Sequence, residues 1–403
     1  MKKQVIQIPL EDAQLLVLMQ QQLLDTPLET GKLEALTTIE QLGYLQIDTL
    51  NVIARAHHHT LWSRQSDYKE TYLNELLETD KQIFEYWSHA ASYLPMNDFR
   101  FSLPRKKLYT DGKSHWFEQD KKMNKYVLDK IKAEGPLQSK DFEFKRNAPG
   151  NWYNWKPAKQ ALEQLFMEGK LMVAKRHNFQ KVYDLTERTV PANVDTSMPS
   201  KTEYAQYIIK KAIQANGIVT AQEITYLRNG LKEMIAIEVA KMLRRGEIIE
   251  VKVETLKDSY LTTRNHINQL EKLREHKFKP TLHFLSPFDN LIIQRKRLNT
   301  LFQFDYTIEC YLPENKRKYG YWCLPVLHNN QFIARFDTKA DRATGKFYIK
   351  SIFFEKKFSQ SEEFNNQFVH KITSFARFNG CDKIIVQKAD NGPWKRQISA
   401  ALR

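Results

Sequence analysis

The residues with the most chemical content in this chain are Gln46-Ile47-Asp48. Strand side chains alternate, so a primary amide and a carboxylate two residues apart share one face of a strand. An amide that holds a water beside a carboxylate that activates it is a minimal hydrolytic apparatus. Leu45 and Ile47 then face the other way and anchor the strand. The bland reading of the same residues is a glutamine bonded to backbone and an aspartate capping a helix. The tripeptide alone does not choose between them.

Glu85 and His89 are four residues apart in Phe84-Glu85-Tyr86-Trp87-Ser88-His89. Read as helix, they share a face and form an acid–base or hydrogen-bonded pair that supports the site or braces the helix. His57-His58-His59 imitates a metal site without the geometry for one. Consecutive helical residues point about 100° apart, and no carboxylate-supported histidine pair at i, i+4 accompanies them. No metal and no cofactor is expected. Arg55, His57, His59 and Arg64 read instead as contacts to DNA phosphate.

The chain has 403 residues, 62 Lys plus Arg against 47 Asp plus Glu, and a net charge of +15, an excess that favours a polyanionic partner. Hydrophobic content of 42% and charged content of 27% are those of folded globular proteins and exclude extensive disorder. Cys310, Cys323 and Cys381 are far apart and odd in number, which argues against a disulfide framework and fits a reducing cytoplasm. Glu11 and Asp12 interrupt the N-terminal apolar run, so no secretory leader and no membrane partner are expected.

Periodicity predicts helices over 11–25 and 32–41, a short strand over 44–48, a third helix over 50–64 capped by Asp48 or Thr49, and a helical segment over 80–92. Helices over 124–133 and 156–167 precede a hairpin, 171–174 with 182–185. Its tip carries Lys175, Arg176 and Lys181 around Phe179, as a wing touching a phosphate backbone would. Helices over 204–215, 221–228 and 231–243 lead to strands at 248–253 and 260–262, and the helix–glycine–strand pattern at Gly169 recurs at Gly246. Beyond about residue 281 the texture turns to strands, 302–312, 320–327, 331–337, 345–355 and 384–386, with a helix over 362–378. The fold class expected is α+β, tandem winged-helix modules followed by a C-terminal mixed β domain. The boundaries expected are 1–120, 121–198, 199–275 and 276–403. The aromatic run 147–156 reads as packing between modules or a base-stacking surface. Lys316 to Tyr321 reads as a basic turn on a phosphate track or a solvated loop.

Four stretches carry a family resemblance: Leu42-Gly43-Tyr44-Leu45-Gln46-Ile47-Asp48 continuing to His57, Glu85-Tyr86-Trp87-Ser88-His89-Ala90, Ser286-Pro287-Phe288-Asp289-Asn290-Leu291-Ile292, and Tyr319-Gly320-Tyr321-Trp322 through Arg342. On them the chain resembles the YcaQ/AlkZ family of bacterial DNA glycosylases over nearly its whole length. The resemblance implies excision of alkylated purines with a glutamine–apolar–(glutamine or aspartate) motif, here Gln46-Ile47-Asp48. Asp48 sets the chain apart from the glutamine–apolar–glutamine branch of toxin self-resistance enzymes. It aligns the chain with the YcaQ-like branch, which is associated with N7-alkylguanine repair and with unhooking interstrand crosslinks. The partner implied is double-stranded DNA with alkylated bases or crosslinks, bound by a monomer in the cytoplasm. With no lysine in the motif, a monofunctional enzyme is expected. The rival readings are a non-catalytic winged-helix transcription regulator and an RNA-binding accessory protein. The first predicts symmetric, sequence-specific binding that survives replacement of Asp48.

Overall fold

A computed structural model describes residues 6–25, 30–112, 119–142 and 157–402. The aromatic run 147–156 lies outside the described residues. Helices and strands are mixed along the chain, which divides into two compact units: Met1–Thr30, Leu45–Asp67 and Ile208–Arg403 in one, Gly31–Tyr44 and Tyr68–Tyr207 in the other.

The larger unit is built on a five-stranded sheet in the order Lys383–Val386, Lys346–Phe354, Gln331–Asp341, Cys323–His328, Leu282–Phe284. Pairings are antiparallel except at the Lys383–Val386 edge, which runs parallel to its neighbour because the helix Glu362–Phe378 makes the crossover. That helix presents Phe368 and Phe375 to the sheet, with Phe284 ring centroids 5.5 and 5.7 Å away in edge-on geometry. A smaller sheet pairs Ile6–Ile8 in parallel with Ile249–Val253, which pairs antiparallel with Ser259–Thr262. Leu16 and Val17 of the helix Leu10–Gln20 share one apolar core with Val251, Leu298 and Phe304. Gly217 ends the helix Lys201–Asn216 at φ +71, where a Cβ would stand 3.0 Å from the Leu16 carbonyl oxygen; the turn needs glycine both for its backbone and for that approach.

The other unit contains the helices Gly31–Leu42, Glu70–Glu78, Lys121–Glu134 and Pro157–Met167 and two hairpins, Ile83–Trp87 with Ala91–Pro95 and Leu171–His177 with Gln180–Leu185. The second hairpin turns through Asn178 and Phe179, both at positive φ, as a two-residue loop matched to strand twist requires. Its strands therefore run almost to the tip and are longer than the sequence pattern predicts.

Three expectations are corrected. Residues 50–64 do not form one helix; the helix is Ala56–Trp62. Backbone groups ahead of it are engaged elsewhere: the Ala340 amide donates to the Val52 carbonyl at 3.0 Å, and the Ala54 amide donates to Asn379 Oδ1 at 2.6 Å. Residues 80–92 are strand and turn rather than helix, since Ile83-Phe84-Glu85-Tyr86-Trp87 is rich in β-favouring residues and finds a partner in Ala91–Pro95. Residues 302–312 are not a strand; the helix Arg295–Phe302 gives way to an irregular segment. Side chains satisfy the backbone there. Glu309 accepts from the amides of Lys318, Tyr319 and Gly320 at 3.1, 2.8 and 3.1 Å, and the Tyr306 hydroxyl donates to the Cys323 carbonyl.

Candidate active site

Leu45–Gln46 is a two-residue strand, and the chain leaves it for an irregular run that lasts to Arg55. Leu45 is fully buried, while Gln46, Ile47 and Asp48 are each half-buried, so the motif stands at the rim of a core. The same-face argument from strand alternation does not extend to Asp48, which lies past the strand end.

Asp48 caps no helix. Its carboxylate accepts hydrogen bonds from the Thr49 and Leu50 amides, folding the loop on itself. Its Oδ2 is buried and has no hydrogen-bond partner. Desolvation pushes the carboxyl above its ordinary value of 3.8, and the two amides and the Arg55 charge oppose that without cancelling it. A carboxylate that is poorly solvated and left with an unused acceptor is more basic and more strongly attracted to positive charge than one in water. The loop that carries it is fastened at the far side, where Val52 and Ala54 bond to the strand Gln331–Asp341 and to Asn379. The C-terminal sheet thus positions the N-terminal motif.

The Asp48 charge acts on the Cys310 thiol and the Tyr311 phenol, both of which are pushed up, first by desolvation. Tyr311 is 72% exposed.

Several expected DNA contacts are placed otherwise. His57 and His59 are buried at 1% and 0% exposure, and His59 Nε2 lies 2.8 Å from the Phe284 carbonyl, which leaves neither ring facing solvent. Burial lowers His59 to about 4 and, with the Arg55 charge, His58 to about 3, so both rings are neutral and uncharged toward phosphate at physiological pH. Arg64 is wholly buried against Asp289. Arg55 remains half-buried beside Asp48. On the hairpin, Arg176 is committed to Glu85 through Nε–Oε1 at 2.5 Å and Nη2–Oε2 at 2.7 Å. Lys175 pairs with Glu78 at 3.1 Å and Lys181 with Glu163 at 3.3 Å, so each basic residue of the expected wing already faces an acid.

Glu85 and His89 do not share a helical face. Glu85 lies in a strand opposite Tyr93, whereas His89 sits in the following turn with its ring edge-on to Tyr44, centroids 5.0 Å apart. Among the described residues no three His, Cys, Asp or Glu side chains converge as metal ligands, and no helix is long and apolar enough to cross a membrane.

This mixed α and β scaffold has a counterpart among known proteins. The family described as DNA glycosylase AlkZ-like matches residues 39–378, and the chain belongs to that family. It is a DNA glycosylase, an enzyme that acts on DNA. Among solved structures, the DNA glycosylase AlkZ of Streptomyces sahachiroi is similar in fold, with a TM-score of 0.64 over 95% of this chain and 100% of that one, at 14% sequence identity.

Proposed function

We propose that this glycosylase is monofunctional and hydrolyses the N-glycosidic bond of alkylated purines of the N7-alkylguanine type, including bases joined in interstrand crosslinks. The observation that carries the reading is Asp48, half-buried, with Oδ2 unbonded and its carboxyl raised by desolvation. N7-alkylation makes the purine cationic and a good leaving group, so the enzyme needs no strong general acid. Cleavage moves the positive charge to the sugar, which acquires oxocarbenium character. Asp48 stabilises that charge and accepts a proton from the attacking water, and Gln46 orients the water with one donor and one acceptor. No lysine lies in the motif to form a Schiff base, so strand cleavage does not follow excision.

The wider reading is of tandem winged-helix modules over 1–120, 121–198 and 199–275 with a C-terminal β-rich domain over 276–403, bound as a monomer to duplex DNA. The helix–helix–hairpin order of Lys121–Glu134, Pro157–Met167 and Leu171–Leu185 supports the second of these modules. A crosslinked base cannot swing freely out of the duplex, and the reading therefore includes attack on a base left in the stack.

The test is single-turnover release of base from a duplex with one N7-methylguanine and from a matched crosslink. Release from both by the wild type, lost in Asp48→Asn, supports the whole reading. Release from the simple lesion only restricts it to monoadducts, and release from neither overturns it.

A further inference from the structure

The five-stranded sheet has one face packed against the helix Glu362–Phe378, where the Phe347 and Phe375 ring centroids are 5.5 Å apart. Strand alternation puts Lys346 and Tyr348, the neighbours of Phe347, on the opposite face. The pairing register gathers further lysines there. Lys339 is opposite Tyr348 on one side, and Lys383 is opposite Lys346 on the other. Lys350 follows as the extra residue of a bulge, since Asp337 pairs with Ser351 and Thr338 with Ile349. Lys339, Lys350 and Lys383 are exposed, and Lys346 and Tyr348 are half-buried. Four lysines on three adjacent strands thus cluster around one tyrosine.

Their charges are not spent within the fold. Among the described residues none of the four lysines forms an ion pair, although Asp341 stands opposite Lys346. The basic residues of the second hairpin differ, for each of them is paired with an acid. Lys346 and Lys383 are partners in register, and like charges so placed destabilise a sheet unless an anion lies over them. The same sheet also holds the loop of Asp48. The strand Gln331–Asp341 runs on past its pairing with Cys323–His328, and there the Ala340 amide donates to the Val52 carbonyl at 3.0 Å and Arg342 Nη1 to the Asn51 carbonyl at 3.5 Å. Lys339 adjoins that junction, and the four residues from Val52 to Asp48 span at most about 14 Å of chain.

The chain is a DNA glycosylase, so its partner is an extended polyanion whichever base it releases. We propose that the face bearing Lys339, Lys346, Lys350 and Lys383 is a phosphate-binding surface for duplex DNA, with the sugar–phosphate backbone crossing it beside the Asp48 loop. The lysines neutralise successive phosphates, and the Tyr348 hydroxyl adds a donor among them. Such contacts fix the position of the duplex without reading its sequence and leave its bases stacked.

The experiment is equilibrium binding of a short undamaged duplex over a range of salt concentrations, below the melting temperature of every variant. It compares wild type, the double variant Lys346→Gln with Lys383→Gln, the quadruple variant that adds Lys339→Gln and Lys350→Gln, and the hairpin double variant Lys175→Gln with Lys181→Gln. The slope of log affinity against log salt is expected to fall by about 0.9 for each lysine that holds a phosphate, hence by about two in the first double variant and about three to four in the quadruple. The hairpin variant, with an equal loss of charge, is expected to keep the wild-type slope. The Lys346–Lys383 double variant should melt at the wild-type temperature or above, because a like-charge pair has been removed. An unchanged slope in the quadruple variant overturns the proposal. So does an equal fall in the hairpin variant, which ties the effect to net charge and not to this face. The probe carries no lesion, so either result stands apart from whether N7-methylguanine is released.

Discussion

Arg64 and Asp289 meet in a two-point ion pair, Nη1–Oδ2 at 2.7 Å and Nη2–Oδ1 at 3.1 Å, with both side chains fully buried. The remaining groups are satisfied as well: Arg64 also donates to the Thr60 and Gln21 carbonyls, and Asp289 Oδ1 accepts from the Leu291 amide. This pair ties the helix Ala56–Trp62, and through it the segment that bears Asp48, to the turn Ser286–Asn290. A cation read from the sequence as a phosphate contact is thus a clamp between distant parts of the chain.

Removing one partner leaves a buried, unpaired charge. Arg64→Ala or Asp289→Ala is expected to lower the unfolding free energy by about 3–5 kcal/mol in denaturant titrations. The salt dependence of DNA binding, measured below the unfolding range, should be unchanged, because no phosphate contact is removed. A shallower salt slope in Arg64→Ala would return Arg64 to the DNA surface.

The Glu85–Arg176 pair makes the same argument for the other unit. The carboxylate of a central strand position holds the guanidinium of the second hairpin in a fork, and Arg176 also stacks over Phe179 at 4.3 Å. Glu85→Ala should destabilise the protein by about 3–5 kcal/mol through the arginine left unpaired. Glu85→Gln, which keeps one acceptor, should fall between it and wild type. Thermal unfolding of the two variants decides. A wild-type melting temperature in Glu85→Ala would mean that the hairpin is held by other contacts and that Glu85 is available for chemistry.

His59 makes stability depend on pH in a defined direction. Its folded value, about 4, lies below the ordinary 6.5, and burial is the main cause. The unfolded chain therefore binds a proton that the folded chain refuses. Stability from this term is complete above about pH 6.5 and is lost as pH falls from there toward 4. His58, lowered to about 3, acts in the same sense. The melting temperature should fall over this range, and His59→Gln, which still has a donor for the Phe284 carbonyl, should fall less steeply than wild type. Parallel curves would show that other groups carry the acid sensitivity.

Much of the architecture is legible in the sequence because local signals agree with it. Helices Gly31–Leu42 and Lys232–Arg245 end where Gly43 and Gly246 permit positive φ, and the C-terminal strands follow their aromatic and β-branched alternation. The errors fall where long-range bonds replace local ones. Residues 50–55 have helical composition but surrender backbone groups to Ala340 and Asn379, 288 and 325 residues further along the chain. Glu85 and His89 have helical spacing by coincidence, since the aromatic strand between them pairs with a segment the pattern did not separate. Burial of His57, His59 and Arg64 was illegible for a like reason: their type and order are those of an exposed basic helix, and only tertiary packing supplies the Phe284 carbonyl and the Asp289 carboxylate. Gln46 and Asp48 stand out in the sequence by residue type, but the same-face geometry expected of them is not sustained by the two-residue strand.

Asp48 itself gives the sharpest prediction, because function and stability should move in opposite directions. In the proposed reaction the carboxylate acts ionised, and desolvation raises its value, so the single-turnover rate should fall on the acid side with a midpoint above the ordinary 3.8. Asp48→Asn should lose about 10²–10⁴-fold in rate together with that acid limb. For folding the sign reverses. A carboxyl whose folded value lies above its unfolded one stabilises the fold only while protonated, below the ordinary value, and that contribution is lost as pH rises through the folded value. At neutral pH the charged group is therefore a cost to the fold, for which the proposed catalytic role accounts. Asp48→Asn, uncharged and of the same shape, should melt at the wild-type temperature or above it. Rate and melting curves on the same preparations test both halves. An inactive variant that is also strongly destabilised would make Asp48 a structural residue, and an active, stable one would move the chemistry elsewhere.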